Sequence, residues 1–270
     1  MQKVSSFVTM LDGHEASAQD LAPLAFAGFA HFTAMQIREG KVRGLDLHLD
    51  RLRSASMAMF GKAHADTDIR DFLRAAVEAG PSDLSLTATV FSRSGEFTTH
   101  GASNDPAILV RTFPASSGPA GPLTLGVVKH QRSLADLKHV GESMKTYSLR
   151  QAAEKGFDDA AFIDEQGRIG EATIWNLAFW DGNSIIWPKA DILKGITMQI
   201  IERQIAKTGV RSETREIDLA DIKQFSGAAL MNSWTPCVPV STIGTVDLPV
   251  PSDFREILRS AYRAELPVRI

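Results

Sequence analysis

Residues 159–188, DAAFIDEQGRIGEATIWNLAFWDGNSIIWP, constrain this chain more than any other stretch. Short runs of β-branched and aromatic residues are broken by DEQG and DGN, residue types that turn a chain within a few positions. The pattern predicts several strands in succession, joined by tight turns. Inside it lies GEATIWN, residues 170–176. Taken as one continuous strand, it puts Glu171, Thr173 and Trp175 on one face and Ile174 and Asn176 on the other. A glutamate entering so apolar a run has to lie at an edge, face solvent or meet a positive partner.

The clearest change of composition is FPASSGPAGP, Phe113 to Pro122, a Pro/Gly/Ser stretch between two strand-like runs. It divides the chain into residues 1–114, a linker over 115–121 and residues 122–270. In the first part, FAHFTAMQI and the residues after Lys41 read as a strand pair turned at REGK. LDLHLDRLRSASMAMFG reads as a helix with Leu45, Leu49, Leu52 and Met59 near helical spacing and Gly61 at its end. IRDFLRAAVEAG is a second helix, and LSLTATVFS and AILVRTF are strands. Strands, two helices and strands again suit a small α+β layer domain. The second part is richer in strands. It also holds a helix over GITMQIIERQIAKTG and a terminal helix over SDFREILRSAYRAEL, with Ser252 as the expected N-cap.

Composition narrows the function classes. Hydrophobic and charged fractions of 44% and 23% are ordinary for a folded chain of 270 residues. A net charge of −3 argues against nucleic acid as the main partner. The single Cys237 precludes an internal disulfide, and its setting, TPCVPV, reads as a core position. The N-terminal MQKVSSFVTMLDGHEASAQD lacks the apolar core and cleavage site of a leader. The most apolar segment, LAPLAFAGFAHFTAM, is interrupted by Pro23, Gly28 and His31 and is too short to span a bilayer. A cytoplasmic chain with no membrane partner and no metal site is expected.

Three further features can carry chemistry. In WPKADILKGITMQII a loop ends at Gly195 and Ile196 and Thr197 open a helix. Free N–H groups and the helix dipole make that place suited to phosphate, and a Thr hydroxyl adds a donor. In LHLDRLRSAS, Arg51 stands three residues after His48 on the same helical face, where its planar fork can meet a phosphate. Lys138 and Lys145, in SLADLKHVGESMKTYS, are two candidates for a covalent lysine. Such a lysine needs surroundings that help it lose its proton, and its neighbours in sequence do not choose between the two.

Taken in order, FT before a charged turn, LHLDRL, a lysine, FIDEQGRIGEATIWN, WP, LKGIT and NSWTPCVPV resemble the class IV aminotransferase family. Its members are pyridoxal-phosphate (PLP) enzymes of fold type IV, among them branched-chain and D-amino-acid aminotransferases and aminodeoxychorismate lyase. The resemblance runs from about Phe29 to Ile243. It implies an α+β fold of two domains: a small N-terminal domain, and a larger C-terminal one with a mixed β pseudo-barrel flanked by helices. It also implies a homodimer acting on a small-molecule amino donor and a keto-acid acceptor. Arg51 would hold the PLP phosphate, and Glu171 would pair with the pyridinium nitrogen. Ile196 and Thr197 would bind the phosphate through backbone and hydroxyl, Leu193 would pack on the ring, and Ser233 matches a small hydroxyl position near the phosphate. The family's catalytic lysine lies about two dozen residues before the Asp of the D-x-x-G turn, here Asp164. Lys138 lies 26 residues before it and Lys145 lies 19 before it, so the resemblance implies Lys138 and leaves Lys145 as a solvated residue ahead of a helix.

The chain departs from the family on the substrate side. HVGES follows Lys138 without the Asn and Tyr often found there, Met198 stands where most members have Arg, and Gln36 replaces a first-domain Arg. Thr33, in place of a Glu common in aminotransferases, resembles the lyase branch, whereas Ala34 lacks the hydroxyl that lyases carry next. Transfer of an amino group is thus the leading expectation. A lyase releasing pyruvate and a non-catalytic PLP- or phosphate-binding relative are the alternatives.

Overall fold

Along LSLTATVFS, Leu84, Leu86, Ala88 and Val90 enter a core while Ser85, Thr87 and Thr89 turn away from it. This is the alternation of a sheet covered on one face by helices. The computed structural model to which this strand belongs describes residues 7–94, 96 and 106–270. Residues 1–6, the start of the N-terminal stretch read above as lacking a leader, lie outside the described residues. The chain divides into two compact units. The first comprises the described residues up to Ser116 with Leu137–Gly141 and Leu266–Ile270; the second comprises Ser117–Asp136 and Glu142–Glu265.

In the first unit, β1 (Thr9–Leu11), β2 (His14–Glu15) and the short α1 (Ala18–Leu21) precede β3 (Ala30–Ile37) and β4 (Lys41–Val42). Helices α2 (Leu45–Phe60) and α3 (Asp66–Ala79) follow, then β5 (Leu84–Ser92) and β6 (Pro106–Pro114). The sheet runs β2-β1-β6-β5-β3, antiparallel throughout. Leu45, Leu49 and Leu52 of α2 and Ile69 and Leu73 of α3 pack with Met35, Ile37 and the inward residues of β5. α2 stops at Gly61, whose φ of +67° is the left-handed conformation that glycine adopts without strain, and its N–H donates to Met57 O at 3.0 Å. Leu137–Gly141 lies along β3: Phe32 N–H donates to Lys138 O at 2.9 Å and Val140 N–H to Ala30 O at 2.8 Å.

The second unit holds β7 (Leu123–Lys129), α4 (Ser143–Glu154), β8 (Asp159–Ile163), β9 (Ile169–Ala172), β10 (Asn176–Trp180) and β11 (Ser184–Pro188). It continues through α5 (Ile196–Ile205), β12 (Arg211–Arg215), β13 (Gly227–Met231), β14 (Val238–Ile243), β15 (Val246–Asp247) and α6 (Ser252–Ala264). The last strand, β16 (Val268–Arg269), belongs to the first unit, where it pairs with β4. The order β10-β13-β14-β7-β8-β9 closes on itself through β9–β10, giving a six-stranded mixed barrel with β14–β7 and β7–β8 parallel. Closure removes the free edges that an open sheet of this length would expose. Leu177 and Phe179 of β10 fill the barrel, whereas Ala178 and Trp180 pack outward on a layer holding Met198 and Ile201 of α5 and Phe254 and Leu258 of α6. Burial on both faces explains why NLAFW is apolar without alternation. The α+β class with a mixed barrel is the fold that the family resemblance implies.

Two local readings need correction. GEATIWN is not one strand: β9 ends at Ala172, β10 begins at Asn176, and Ala172 and Trp175 exchange backbone hydrogen bonds of 2.9 and 3.4 Å across a tight turn. The buried carboxylate of Asp159 fixes that turn, accepting from Thr173 Oγ1 at 2.7 Å and Trp175 Nε1 at 2.9 Å. Glu171 and Asn176, assigned to opposite faces of a strand, are instead partners across the hairpin. Ser252 is the first helical residue of α6, and the N-cap is Pro251 with no side-chain bond.

Among the described residues, no helix is long and apolar enough to cross a membrane, and no group of three or more His, Cys, Asp or Glu is placed to hold a metal.

Candidate functional site

The barrel lines up its site residues in one row. Glu171 on β9 pairs in register with Asn176 on β10, which pairs with Met231 on β13. From Asn176 the row reaches the helical end of the WP–LKGIT loop: its Nδ2 donates to Leu193 O at 2.7 Å and its Oδ1 accepts from Gly195 N–H at 2.9 Å. From Met231 the chain continues into Asn232 and Ser233, and Thr197 Oγ1 donates to Asn232 O at 2.7 Å. Of the residues singled out in the sequence, Glu171 and Leu193 are therefore joined through Asn176, Thr197 is bonded to Asn232, and Ile196 and Ser233 are their neighbours in the chain. Asn176, which joins the first two, was legible only as a polar residue in an apolar run, where burial demands that both its amide groups be bonded.

The N-terminus of α5 carries no side-chain cap: Gly195 is the N-cap and has none to offer. The first helical N–H groups, those of Ile196 and Thr197, have no acceptor one turn earlier in the helix, and the dipole favours an anion there. The Thr197 hydroxyl is engaged by Asn232, so its hydrogen secures the loop bearing Ser233. Gly195 is required by close approach, since a Cβ would stand 2.2 Å from Asn176 Oδ1.

Glu171 is 6% exposed and meets the positive partner that its apolar setting calls for. That partner is Lys145, whose Nζ donates to Glu171 Oε1 at 2.9 Å. The reading of Lys145 as a solvated residue is corrected here: the first turn of α4 carries it inward, and its side chain is 12% exposed. Arg132 Nη1 lies 3.9 Å from the same oxygen and 3.5 Å from Glu142 Oε1. His130 packs edge-on against Phe162 with ring centroids 4.7 Å apart, and burial lowers its pKa, so it is neutral at neutral pH. A small cavity of about 20 Å³ adjoins the cluster, lined by His130, Arg132, Gly170, Glu171 and Ile192 among others, room for about one water. Nothing in the local sequence around Lys145 marks it, because its partner lies 26 residues further along the chain.

Arg51 and Lys138 belong to the first unit. Lys138 extends its Nζ over the Phe32 ring, 4.7 Å from the centroid. The next strand residue, Thr33, shares a 2.6 Å hydrogen bond with His48 Nδ1 on α2. Burial, with the charge of Arg51 adding to it, brings the His48 pKa down to about 3. His31 Nε2 and Ser56 Oγ share a hydrogen bond of 2.9 Å, and burial brings the His31 pKa down to about 4. Both imidazoles are thus neutral packing groups at neutral pH. Of the positions that depart from the family, Met198 is buried in the outer layer with Trp187 and Phe254. The Gln36 side-chain oxygen accepts from Arg38, Ser85 and the Ser116 N–H.

The sequence model described as "Amino-transferase class IV" matches residues 30–243. A "Probable branched-chain-amino-acid aminotransferase" of Rickettsia typhi is 24% identical over 245 residues, covering 80% of this chain and 78% of that protein. A protein of the same description from Synechocystis is 31% identical over 116 residues, 42% of this chain and 38% of that protein. The matches to the first two such relatives span 36% and 38% of their lengths. Among solved structures, a branched-chain aminotransferase from Thermoproteus uzoniensis with norvaline has a TM-score of 0.85 at 16% identity, covering 96% of this chain and 94% of that one. A hypothetical aminotransferase from Mycobacterium tuberculosis, in its PLP-bound form, has a TM-score of 0.80 at 20% identity, covering 97% and 100%. At these identities the likeness to solved structures speaks for the fold alone. With the family model spanning most of the chain and the site row lying within it, the chain belongs to the class IV aminotransferase family.

Proposed function

We propose that this chain is a PLP-dependent enzyme that transfers an amino group between an amino acid or amine and a 2-oxo acid. The observation that carries the reading is the row in the second unit, which joins a buried, ion-paired Glu171 to the uncapped N-terminus of α5. These donors and acceptors fit the cofactor: the helix N-terminus suits a phosphate dianion, and a buried carboxylate suits a ring N–H. When bound, pyridoxal phosphate supplies an electron sink conjugated with the substrate's reacting carbon.

The residues divide the work around it. Ile196 and Thr197 offer backbone N–H groups to the phosphate, Ser233 a hydroxyl and Arg51 its guanidinium. Thr197 also fixes the Asn232–Ser233 loop. Leu193, held by Asn176, packs on the ring and excludes water from one face. Glu171 holds a proton at the ring nitrogen. Lys138 is the residue of attachment, and its Nζ takes and returns the proton at the substrate's α-carbon. The position of Lys145 supports Lys138 in that role. The ring nitrogen and the carbon bearing the reactive carbonyl lie at opposite ends of the ring, and Lys145 is bound to the carboxylate that serves the nitrogen end.

Thr33 favours a second reading, elimination of pyruvate in the manner of aminodeoxychorismate lyase, with the same residues holding the cofactor. Incubation with an amino donor and a panel of 2-oxo acids separates the two. Amino exchange without pyruvate release supports the transferase. Pyruvate release from aminodeoxychorismate without exchange supports the lyase, and neither reaction supports a non-catalytic relative. A homodimer and a cytoplasmic location accompany the proposal as family expectations, the first tested by size-exclusion chromatography with light scattering.

A further inference from the structure

Lys145 has no task among the roles above, yet it is the side chain that holds Glu171. Its Nζ and the Glu171 carboxylate are both nearly buried and 2.9 Å apart, with Arg132 at 3.9 Å from the same oxygen and Glu142 beyond it. Arg132 and Lys145 thus both bring positive charge to the Glu171 carboxylate. A ring N–H donating to Glu171 would bring a further positive charge beside them. Two donors would then share one carboxylate in a nearly dry site, where charges act on one another strongly.

We infer that Lys145 is a positioning residue: it holds and aims the Glu171 carboxylate before the cofactor enters, and afterwards competes with the ring nitrogen for it. The inference rests on the cofactor reading proposed above. It makes Lys145 and the cofactor antagonists, each weakening the other's hold on Glu171, a coupling that must be reciprocal. A lysine that only stabilised the fold would support the free and loaded forms alike. A competing lysine supports the free form, where removing it leaves a buried carboxylate short of its partner, and works against the loaded one.

Titration of pyridoxal 5′-phosphate into the full chain, wild type and Lys145→Met, tests this by absorbance, melting temperature and the ¹⁵N shift of ring-labelled cofactor. Lys145→Met is expected to melt lower than wild type without cofactor and to gain more on saturation. It should bind the cofactor about tenfold more tightly, the scale of one hydrogen bond to a charged group, with the nitrogen shift moved toward the protonated value. Lys145→Arg, which keeps charge and donors, should return all of these toward wild type. Lys145→Gln, which keeps a donor without the charge, should move the nitrogen shift the same way should the methionine variant fail to fold. Equal or weaker affinity in the variants, with an unchanged nitrogen shift, overturns the inference while wild-type binding stands. A wild-type chain that binds no pyridoxal phosphate overturns the cofactor reading and the inference with it.

Discussion

Asn176 is the joint on which the site row depends, and its loss can be worked out from its two bonds. Its side chain donates to Leu193 O and accepts from Gly195 N–H, at 2.7 and 2.9 Å, in a buried position. Asn176→Ala removes both bonds and leaves the Leu193 carbonyl and the Gly195 N–H without those partners. At about 1–3 kcal/mol for each of the two buried groups left stranded, the expected loss is about 2–6 kcal/mol. Gly195→Ala attacks the same contact from the other side. Its Cβ would lie 2.2 Å from Asn176 Oδ1, so the amide has to swing out. Because φ at Gly195 is −63°, alanine suits the backbone there, and the damage comes from the contact alone. In the double variant no amide remains to clash, so the combined loss should fall short of the sum by about 2 kcal/mol, within the usual range for coupled neighbours. The four tryptophans, Trp175, Trp180, Trp187 and Trp234, all lie in the second unit. Urea unfolding followed by tryptophan fluorescence therefore reports on the unit that holds the contact, with midpoint shifts at constant slope giving the energies. Losses that add to within about 0.5 kcal/mol would mean the two residues act separately, and the joint described here would be wrong.

Two further outcomes follow from buried titratable groups. His48 and His31 have folded pKa values of about 3 and about 4, below the value near 6.5 of an unfolded histidine. The unfolded chain takes up these protons first, so the stability present above about pH 6.5 is lost as pH falls toward 4 and 3. His31→Asn should flatten the acid limb between about pH 6.5 and 4, read by far-UV circular dichroism in urea at a series of pH values; an unaltered slope would contradict this. Cys237 is buried, and burial raises its thiol to about 11. It should resist thiol reagents at pH 8 in the native chain and react on unfolding, whereas rapid native labelling would place it at the surface.

How much of this could be read in advance depended on whether the partners were local. Helix α2 was legible because its apolar spacing and its stop at Gly61 are both written within one segment. The N-terminus of α5 was legible for the same reason, with loop, glycine and helix in immediate succession. The turn over 172–175 was not, because its cause is Asp159, a carboxylate from the previous strand but one that reaches Thr173 and Trp175. An alternating pattern cannot reveal a turn imposed by such a distant group. Lys145 failed likewise: lysines ahead of helices are usually solvated, and only the closing of β9 against β10 with α4 alongside brings it to Glu171. Ser252 shows the limit of propensity, since a serine suited to the cap lies one residue inside the helix, behind a proline that holds the extended position.

Covalent capture tests the central claim most directly. The full chain loaded with pyridoxal phosphate, reduced with borohydride and digested for peptide mapping, should carry a pyridoxyl group on Lys138 and none on Lys145. An adduct on Lys145 would contradict the assignment of the two lysines to opposite ends of the cofactor. Absence of an adduct on either lysine would contradict the enzyme reading altogether.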